Sequence, residues 1–296
     1  MRVTENSNYD LVRESMRRSK QKMEALQVQS STLKRVNQPS DDPVGCAKIL
    51  EIRTQKLNQN QFQMNAKFAE LFLKHSEEAL GELADIVGRV KELALAQASS
   101  TNTQQEVRYA VAAEVEQLQQ QALAIGNRRF ADRYIFAGYQ TQKPPLDAQG
   151  VYQGDDGCMK LEVESGVFVP MNIPGSQVFH SSSAEKLDIF DHIQTLKTVI
   201  LTGDLEAVRR TLEGFHTIQS ALITNRSSLG SSLQGLQSHL QSLDKELVTQ
   251  ASLSSVLEDV DVAQVVSDLG KEESVFRSSL AGAKKLIEPK LLDYLK

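Results

Sequence analysis

Apolar residues recur at alternating steps of three and four through the first 37 residues of the chain. Positions 9, 12, 16, 19, 23, 26, 30, 33 and 37 hold Tyr9, Val12, Met16, Ser19, Met23, Leu26, Ser30, Leu33 and Asn37. Six of these nine are apolar, which describes a heptad stripe thinned by small polar residues. The remaining positions are strongly polar, so the stripe is too narrow to hold a lone helix and calls for a partner. The pattern breaks at Val36-Asn-Gln-Pro-Ser-Asp-Asp-Pro43. Proline disfavours helix at the residue before it, and Asp42-Pro43 reads as an N-cap followed by proline at the first helical position.

A second helix is predicted from about Val44 towards Ala98, with Met64, Phe68 and Leu71 on its seam and, after a change of phase, Leu83, Ile86, Val90 and Leu93. Roughly 50 residues would make a rod about 75 Å long. After the polar turn Ser99–Thr103, with Thr103 and Glu106 spaced as a capping box, a third helix places Val107, Val111, Val115, Leu118, Ala122 and Ile125 on one face. The C-terminal half mirrors this design. Leu229, Leu233, Leu236, Leu240, Leu243 and Leu247 form an unbroken leucine seam. After a phase change at Glu258–Asp261, Val262, Val266, Leu269, Glu273, Phe276, Leu280, Ala283 and Ile287 resume the rhythm.

Between the arms the period changes to two. Met159–Glu164 alternates, Ser165-Gly166 turns, and Val167–Ile173 follows, which predicts a β-hairpin with Pro170 on an edge strand. Tyr152 and Phe179 are candidates to close a small core. Some 40 residues make a marginal domain, so flanking sequence around Lys186–Leu201 is expected to pack on it.

Composition agrees with this division. The 296 residues contain seven prolines, none between Val44 and Lys143 or between Gly175 and Glu288, as long helices require. The fold expected is therefore mainly α with a small β-rich insert. The segments are 1–38 with 258–296 as paired terminal helices, 39–140 with 200–257 as a long helical bundle, and 141–199 as the insert. Residues 1–35 carry eight Lys/Arg against four Asp/Glu, and residues 258–296 six against eight. Opposite bias on two thinly striped helices favours their pairing, although exposed ion pairs contribute little each.

Charge and motifs exclude several functions. A formal net charge of −5 offers no general attraction to nucleic acid or anionic membrane. No stretch reaches the roughly 18 apolar residues of a membrane span, and the opening residues have no apolar leader. Cys46 and Cys158 make neither a metal pair nor a disulfide framework. Asp41-Asp42 is explained by helix capping and Asp155-Asp156-Gly157 by a turn. The five histidines show no metal-ligand spacing. No catalytic constellation, metal site or cofactor site is expected.

Taken in order, the motifs resemble the flagellin-like hook-associated proteins of the FlgL type, the family at the bacterial flagellar hook–filament junction. The resemblance covers nearly the whole chain. It rests on Met1-Arg-Val-Thr4; on Pro39, Ser40, Asp41, Asp42 and Pro43, the family's most specific motif; and on Asn127 with Arg133-Tyr-Ile-Phe-Ala-Gly138. It rests also on Gly150–Asp155, Ile173–Phe179, Leu257-Glu-Asp-Val-Asp261 and Leu291-Leu-Asp-Tyr-Leu295. Arg128-Arg129 and Asp132 depart from the small residues expected there, and Cys46 is unexpected in a protein that ends outside the cell.

The resemblance implies a structural protein, not an enzyme. Its fold would be a flagellin-like elongated antiparallel coiled-coil bundle formed by N- and C-terminal arms, with the insert facing outward. Implied partners are further copies in a homo-oligomeric ring, the hook-side junction protein, flagellin and a cytoplasmic export chaperone, with no nucleic acid and no membrane. Secretion by the flagellar type III apparatus and an extracellular place at the junction are implied as well. The seam residues expected to carry assembly are Met16, Met23, Leu26 and Leu33 against Val266, Leu269, Phe276 and Leu280. Alternatives are a short flagellin subunit and, in a different class, a cytoplasmic coiled-coil adaptor.

Overall fold

The structure, a computed structural model, describes residues 2–99, 104–180 and 188–287, with side chains from 10 to 284 within those ranges. Tyr9 and Ile287 as side chains, Thr103 of the expected capping box, Pro289 and the Leu291–Leu295 segment lie outside what is described. The elements in order are α1 (Arg2–Thr32), α2 (Pro43–Ser99), α3 (Gln105–Gly126), β1 (Arg129–Phe130), β2 (Arg133–Tyr134), β3 (Lys160–Glu164) and β4 (Val167–Pro170). They continue with α4 (Gly175–Phe179), α5 (Ile189–Thr202), α6 (Leu205–Glu258) and α7 (Val262–Ile287). The fold is mainly α with two small two-stranded sheets. By contact the chain divides into two compact units, 59–244 and 1–58 with 245–296, so the divisions fall inside α2 and α6.

In the unit 59–244, α2 and α6 run antiparallel. Ion pairs and hydrogen bonds join Glu77 to Arg226 at 2.6 Å, Glu70 to Gln237 at 3.0 Å and Lys91 to Gln219 at 3.1 Å. α3 and α5 complete the bundle, with Arg89 on Glu114 at 2.8 Å and Lys197 on Glu116 at 2.9 Å. The buried stripe of α2 passes through Ala66, Ala69, Phe72, Leu73, Ser76, Ala79, Leu80, Leu83, Val87 and Val90. Met64 and Leu71, expected on that seam, are exposed. Its first part is carried by Ala66 and Ala69, so the larger apolar residues beside them, Met64 and Leu71, dominated the pattern. The leucine seam of α6 is covered at all six expected positions, and on α3 only Val107 of the expected face is exposed. α3 opens on Gln104 without a side-chain cap, one residue beyond the expected Thr103.

The hairpin β3–β4 forms as expected, with Leu161 opposite Val169, a bulge at Glu162/Glu164 and Gly166 at φ 78° in the turn. Tyr152 and Phe179 do meet, at 6.3 Å between ring centroids, but Phe179 also meets Phe136 at 5.5 Å and Phe190 of α5 at 5.7 Å. The insert is thus no separate body: Phe136, Leu146, Val163, Val178, Phe179 and Phe190 share one hydrophobic core with the helices. The Tyr152 hydroxyl lies 2.9 Å from the carbonyls of Phe136 and Asp155, and burial pushes its pKa up to about 12. Asp155 accepts the amides of Tyr139 (2.7 Å) and Gly157 (2.8 Å), which makes Asp155-Asp156-Gly157 a turn.

One element has no counterpart in the sequence pattern. β1 and β2 form a two-residue hairpin whose tip, Ala131 and Asp132, adopts φ 47° and 62°. Such turns ordinarily use Asn-Gly, and neither residue signals one.

Candidate assembly site in the terminal helices

In the unit of residues 1–58 and 245–296, α1 and α7 pack side by side and antiparallel. Lys34 bridges Asp259 at one end, and Ser19 meets Glu272 further along, so the numbering falls on one helix as it rises on the other. On α1 the covered face is Val12, Met16, Ser19, Met23, Leu26 and Ser30, the heptad stripe of the sequence. On α7 it is Val265, Leu269, Glu272, Phe276, Ser279 and Ala283.

The eight seam residues named from sequence therefore divide. Met16, Met23, Leu26, Leu269 and Phe276 lie half-buried on the facing surfaces. Leu33, Val266 and Leu280 do not belong to the contact closed within this chain, being 54%, 55% and 45% exposed. Leu33 follows the last residue of α1 at φ 58°, where the chain is already turning away. On α7 the stripe takes Val265 and Ser279 in place of Val266 and Leu280. A helix advances 100° per residue, so neighbouring valines cannot both face the partner.

Where α1 gives way to α2 and α6 to α7, a polar clasp joins the two ends of the sequence. The Arg35 amide donates to the Glu258 carbonyl at 2.7 Å and the Val260 amide to the Leu33 carbonyl at 3.2 Å. The Arg35 guanidinium donates to the Leu257 carbonyl at 3.0 Å and to the Asp42 carboxylate at 3.3 Å. The Glu258 carboxylate, 6% exposed as a residue, pairs with both Lys34 and Arg53. Burial alone would raise its pKa; the hydrogen bonds from Lys34 and Arg53 outweigh burial and hold it below the ordinary 4.5.

The Pro39–Pro43 motif is the turn that delivers the chain into α2. Pro39, Ser40 and Asp41 are exposed, and the Asp41 carboxylate accepts the amides of Asn37 (3.1 Å) and Gln38 (2.9 Å). Asp42 accepts the Gly45 amide at 2.8 Å as N-cap, with Pro43 the first helical residue, as the sequence predicted. The Gly45 amide first, and the Arg35 guanidinium after it, hold the Asp42 carboxyl below the usual carboxylate range. Asp261 caps α7 in the same manner, accepting from Ala263 at 2.9 Å and Gln264 at 3.2 Å.

Sequence reasoning missed Lys34, Arg53 and Glu258 as a set. The available signal was a glutamate beside the phase change at 258–261, opposite a basic pair at the other break. The remaining polar candidates have local explanations. His192 bonds the Thr211 carbonyl at 2.9 Å and His239 the Val163 carbonyl at 2.8 Å, while His75 stacks on Phe130 at 4.5 Å. Cys46 and Cys158 are half-buried free thiols. Among the described residues no group of three potential ligands could hold a metal, and no helix is long and apolar enough to cross a membrane.

The surface of this unit is unusually apolar for its size. Leu11 and Val28 on α1, Val44, Leu50 and Leu57 on α2, Val248, Leu253 and Val256 on α6, and Val262, Val266, Val275 and Leu280 on α7 are all exposed. Exposed apolar side chains at that density are common where other molecules pack.

Residues 3–141 match the family of the bacterial flagellin N-terminal helical region. Flagellar hook-associated protein 3 of Salmonella typhimurium is 26% identical over 304 residues, covering 94% of this chain and 95% of that protein. FlgL of Bacillus cereus superposes with a TM-score of 0.60 at 19% identity, covering 69% of this chain and 99% of that one. The flagellar junction protein FlgL of Legionella pneumophila gives a TM-score of 0.59 at 16% identity, covering 71% and 99%.

Proposed function

We propose that this chain, a flagellin-like hook-associated protein of the FlgL type, is a structural subunit of the bacterial flagellum that forms the junction between hook and filament. It is a structural protein and not an enzyme, as its relatives are structural flagellar proteins. One observation supports the assembly reading above the rest. The paired terminal helices close with a thin seam and leave several large apolar side chains exposed outside it, Leu11 and Val28 on α1 and Val262, Val266, Val275 and Leu280 on α7. Exposed apolar side chains at that density on paired helices suit a surface that other subunits cover.

In this reading the terminal helices, 1–38 and 258–296, form the inner part of a homo-oligomeric ring, the segments 39–140 and 200–257 surround them, and the insert 141–199 faces outward. Met16, Met23, Leu26, Leu269 and Phe276 close the seam within a subunit, and Leu33, Val266 and Leu280 meet neighbours. The neighbours are the hook-side junction protein, flagellin and further copies, and a cytoplasmic chaperone holds the chain before type III export to the cell exterior. The polar interruptions Ser19, Ser30, Glu272 and Ser279 keep the seam weak enough for the chain to unfold for export.

Deletion in the native host tests the reading. Hooks without filaments, with flagellin secreted but unassembled, are the expected phenotype. Intact junctions with no filament subunit would assign the chain to flagellin instead. A cytoplasmic adaptor predicts that the protein is absent from sheared filament–hook preparations.

A further inference from the structure

We propose that the β1–β2 hairpin is a docking element for a second copy of this chain, with Arg129 and Arg133 seated against Asp156 and Glu164 in the insert of that copy. The proposal rests on the assembly reading above and names a partner surface for it.

Charge placement is the first support. The unit 59–244 holds 15 Lys/Arg and 22 Asp/Glu, a balance of −7. Residues 117–146 run against it, with four cations, Arg128, Arg129, Arg133 and Lys143, and Asp132 as the only carboxylate. Residues 147–164 then carry five carboxylates and one cation, Lys160. Two different, complementary patches on one chain make a heterologous contact, the kind that closes a ring when the rotation allows. The second support is that these charges are unspent. Arg128 is committed to Glu82 at 3.0 Å, but Arg129 meets only Asp132, at 3.8 Å, and Arg133 enters no ion pair among the described residues. Asp156 enters none among them either, and Glu164 approaches only His239, at 4.0 Å. All four side chains are exposed.

The third support is rigid presentation. Phe130 anchors the hairpin on α2, with ring centroids 6.2 Å from Phe68, 5.9 Å from Phe72 and 4.5 Å from His75. The Arg129 guanidinium lies 5.2 Å over the Tyr134 ring and donates to the Asp132 carbonyl at 2.9 Å. Glu164 is held as firmly. Its neighbour Val163 is buried, and the Glu162 and Val163 carbonyls accept from Asn65 of α2 and His239 of α6, each at 2.8 Å. Groups already ordered lose less freedom on binding. The tip itself, Ala131 and Asp132 at positive φ, breaks the preference of such turns for asparagine and glycine. Departures from local rules concentrate where function has set the residues.

Exposed ion pairs contribute little each, whereas like charges set against one another are costly, so the test reverses charge. Arg129→Glu with Arg133→Glu should leave thermal unfolding of the purified chain as in the wild type. In cells it should cut the fraction that keep filaments under shear by roughly tenfold or more. Asp156→Lys with Glu164→Lys should do the same, and all four changes together should restore retention. Disulfide trapping reads the contact directly. In a chain carrying Cys46→Ser and Cys158→Ser, Asp132→Cys with Glu164→Cys should link copies into a ladder when intact flagella are oxidised. Unchanged retention in either double variant, no recovery in the fourfold variant, or a disulfide closed within one chain would overturn the proposal while leaving the assembly reading in place. If the wild-type chain is missing from sheared filament–hook preparations, the reading falls and the proposal with it.

Discussion

Ser19 donates its hydroxyl hydrogen to the Glu272 carboxylate at 3.1 Å, across the facing stripes of α1 and α7. The Lys22 ammonium lies 3.5 Å from the other carboxylate oxygen. A serine 5% exposed and a glutamate thus occupy positions where a heptad seam would ordinarily place leucine. Such a layer fixes which residues face each other at a cost in stability.

Replacing the layer should therefore strengthen the pair. Glu272→Leu combined with Ser19→Ala is expected to raise the stability of the terminal unit by about 0.5–1.5 kcal/mol. The check is a urea titration followed by a probe on α7. A fall in stability would mean that the polar layer contributes more than the apolar contact replacing it.

Leu269 lies on the facing surface of α7 between Val265 and Glu272. Leu269→Asp places a carboxylate on the half-buried face that α7 turns to α1 and should abolish incorporation into the flagellum. Cells expressing only this variant should be non-motile and shed unassembled flagellin. Motile cells with attached filaments would remove Leu269 from the assembly seam.

The clasp should respond to acid. The Glu258 carboxyl titrates below its ordinary 4.5 in the folded chain. Its contribution is therefore fully present above about pH 4.5 and is lost as pH falls through the lower folded value. The stability gap between wild type and Glu258→Gln should be constant from pH 7 to pH 5 and shrink below pH 4.5. Denaturant midpoints at four pH values measure it. A gap that widened on acidification would mean that burial, not the two cations, governs this carboxyl.

Adjacent residues of α2 separate buried from exposed. Phe72 is fully buried, and Phe72→Ala should cost about 3–5 kcal/mol. Leu71 is 48% exposed, and Leu71→Ala should cost under about 1 kcal/mol. Equal losses by thermal unfolding would contradict the placement of the stripe.

Gly138 sits at φ 68°, and a Cβ there would lie 2.4 Å from the Asp155 carbonyl oxygen. Backbone cannot give way as a flexible side chain can, so Gly138→Ala should cost about 2 kcal/mol or more. Gly166, also at positive φ but with open space around it, should cost less on the same change. Comparing the two variants by calorimetry isolates the close approach from the turn.

Sequence periodicity alone identified the covered face of α1, the leucine seam of α6, the β3–β4 hairpin, and Asp42 and Pro43 at the start of α2. In each case one feature had a single reading: a stripe with polar flanks, an alternating run around a glycine, or a cap before a proline. Tertiary structure decided the rest. On α7 the valines at 265 and 266 serve a heptad pattern equally well, and only the position of α1 selects the first. On α2 the buried stripe runs through Ala66 and Ala69 beside Met64 and Leu71, and the weak hydrophobicity of alanine hides it there. The small size of the insert led to the expectation that Lys186–Leu201 packs on it, as α5 does through Phe190. Its pattern could not reveal that the same core continues into the bundle, because burial depends on what lies opposite. The clasp was the least legible of all. Lys34, Arg53 and Glu258 are ordinary charged residues in sequence, and a charge becomes a bond only when the fold brings its counterpart within reach.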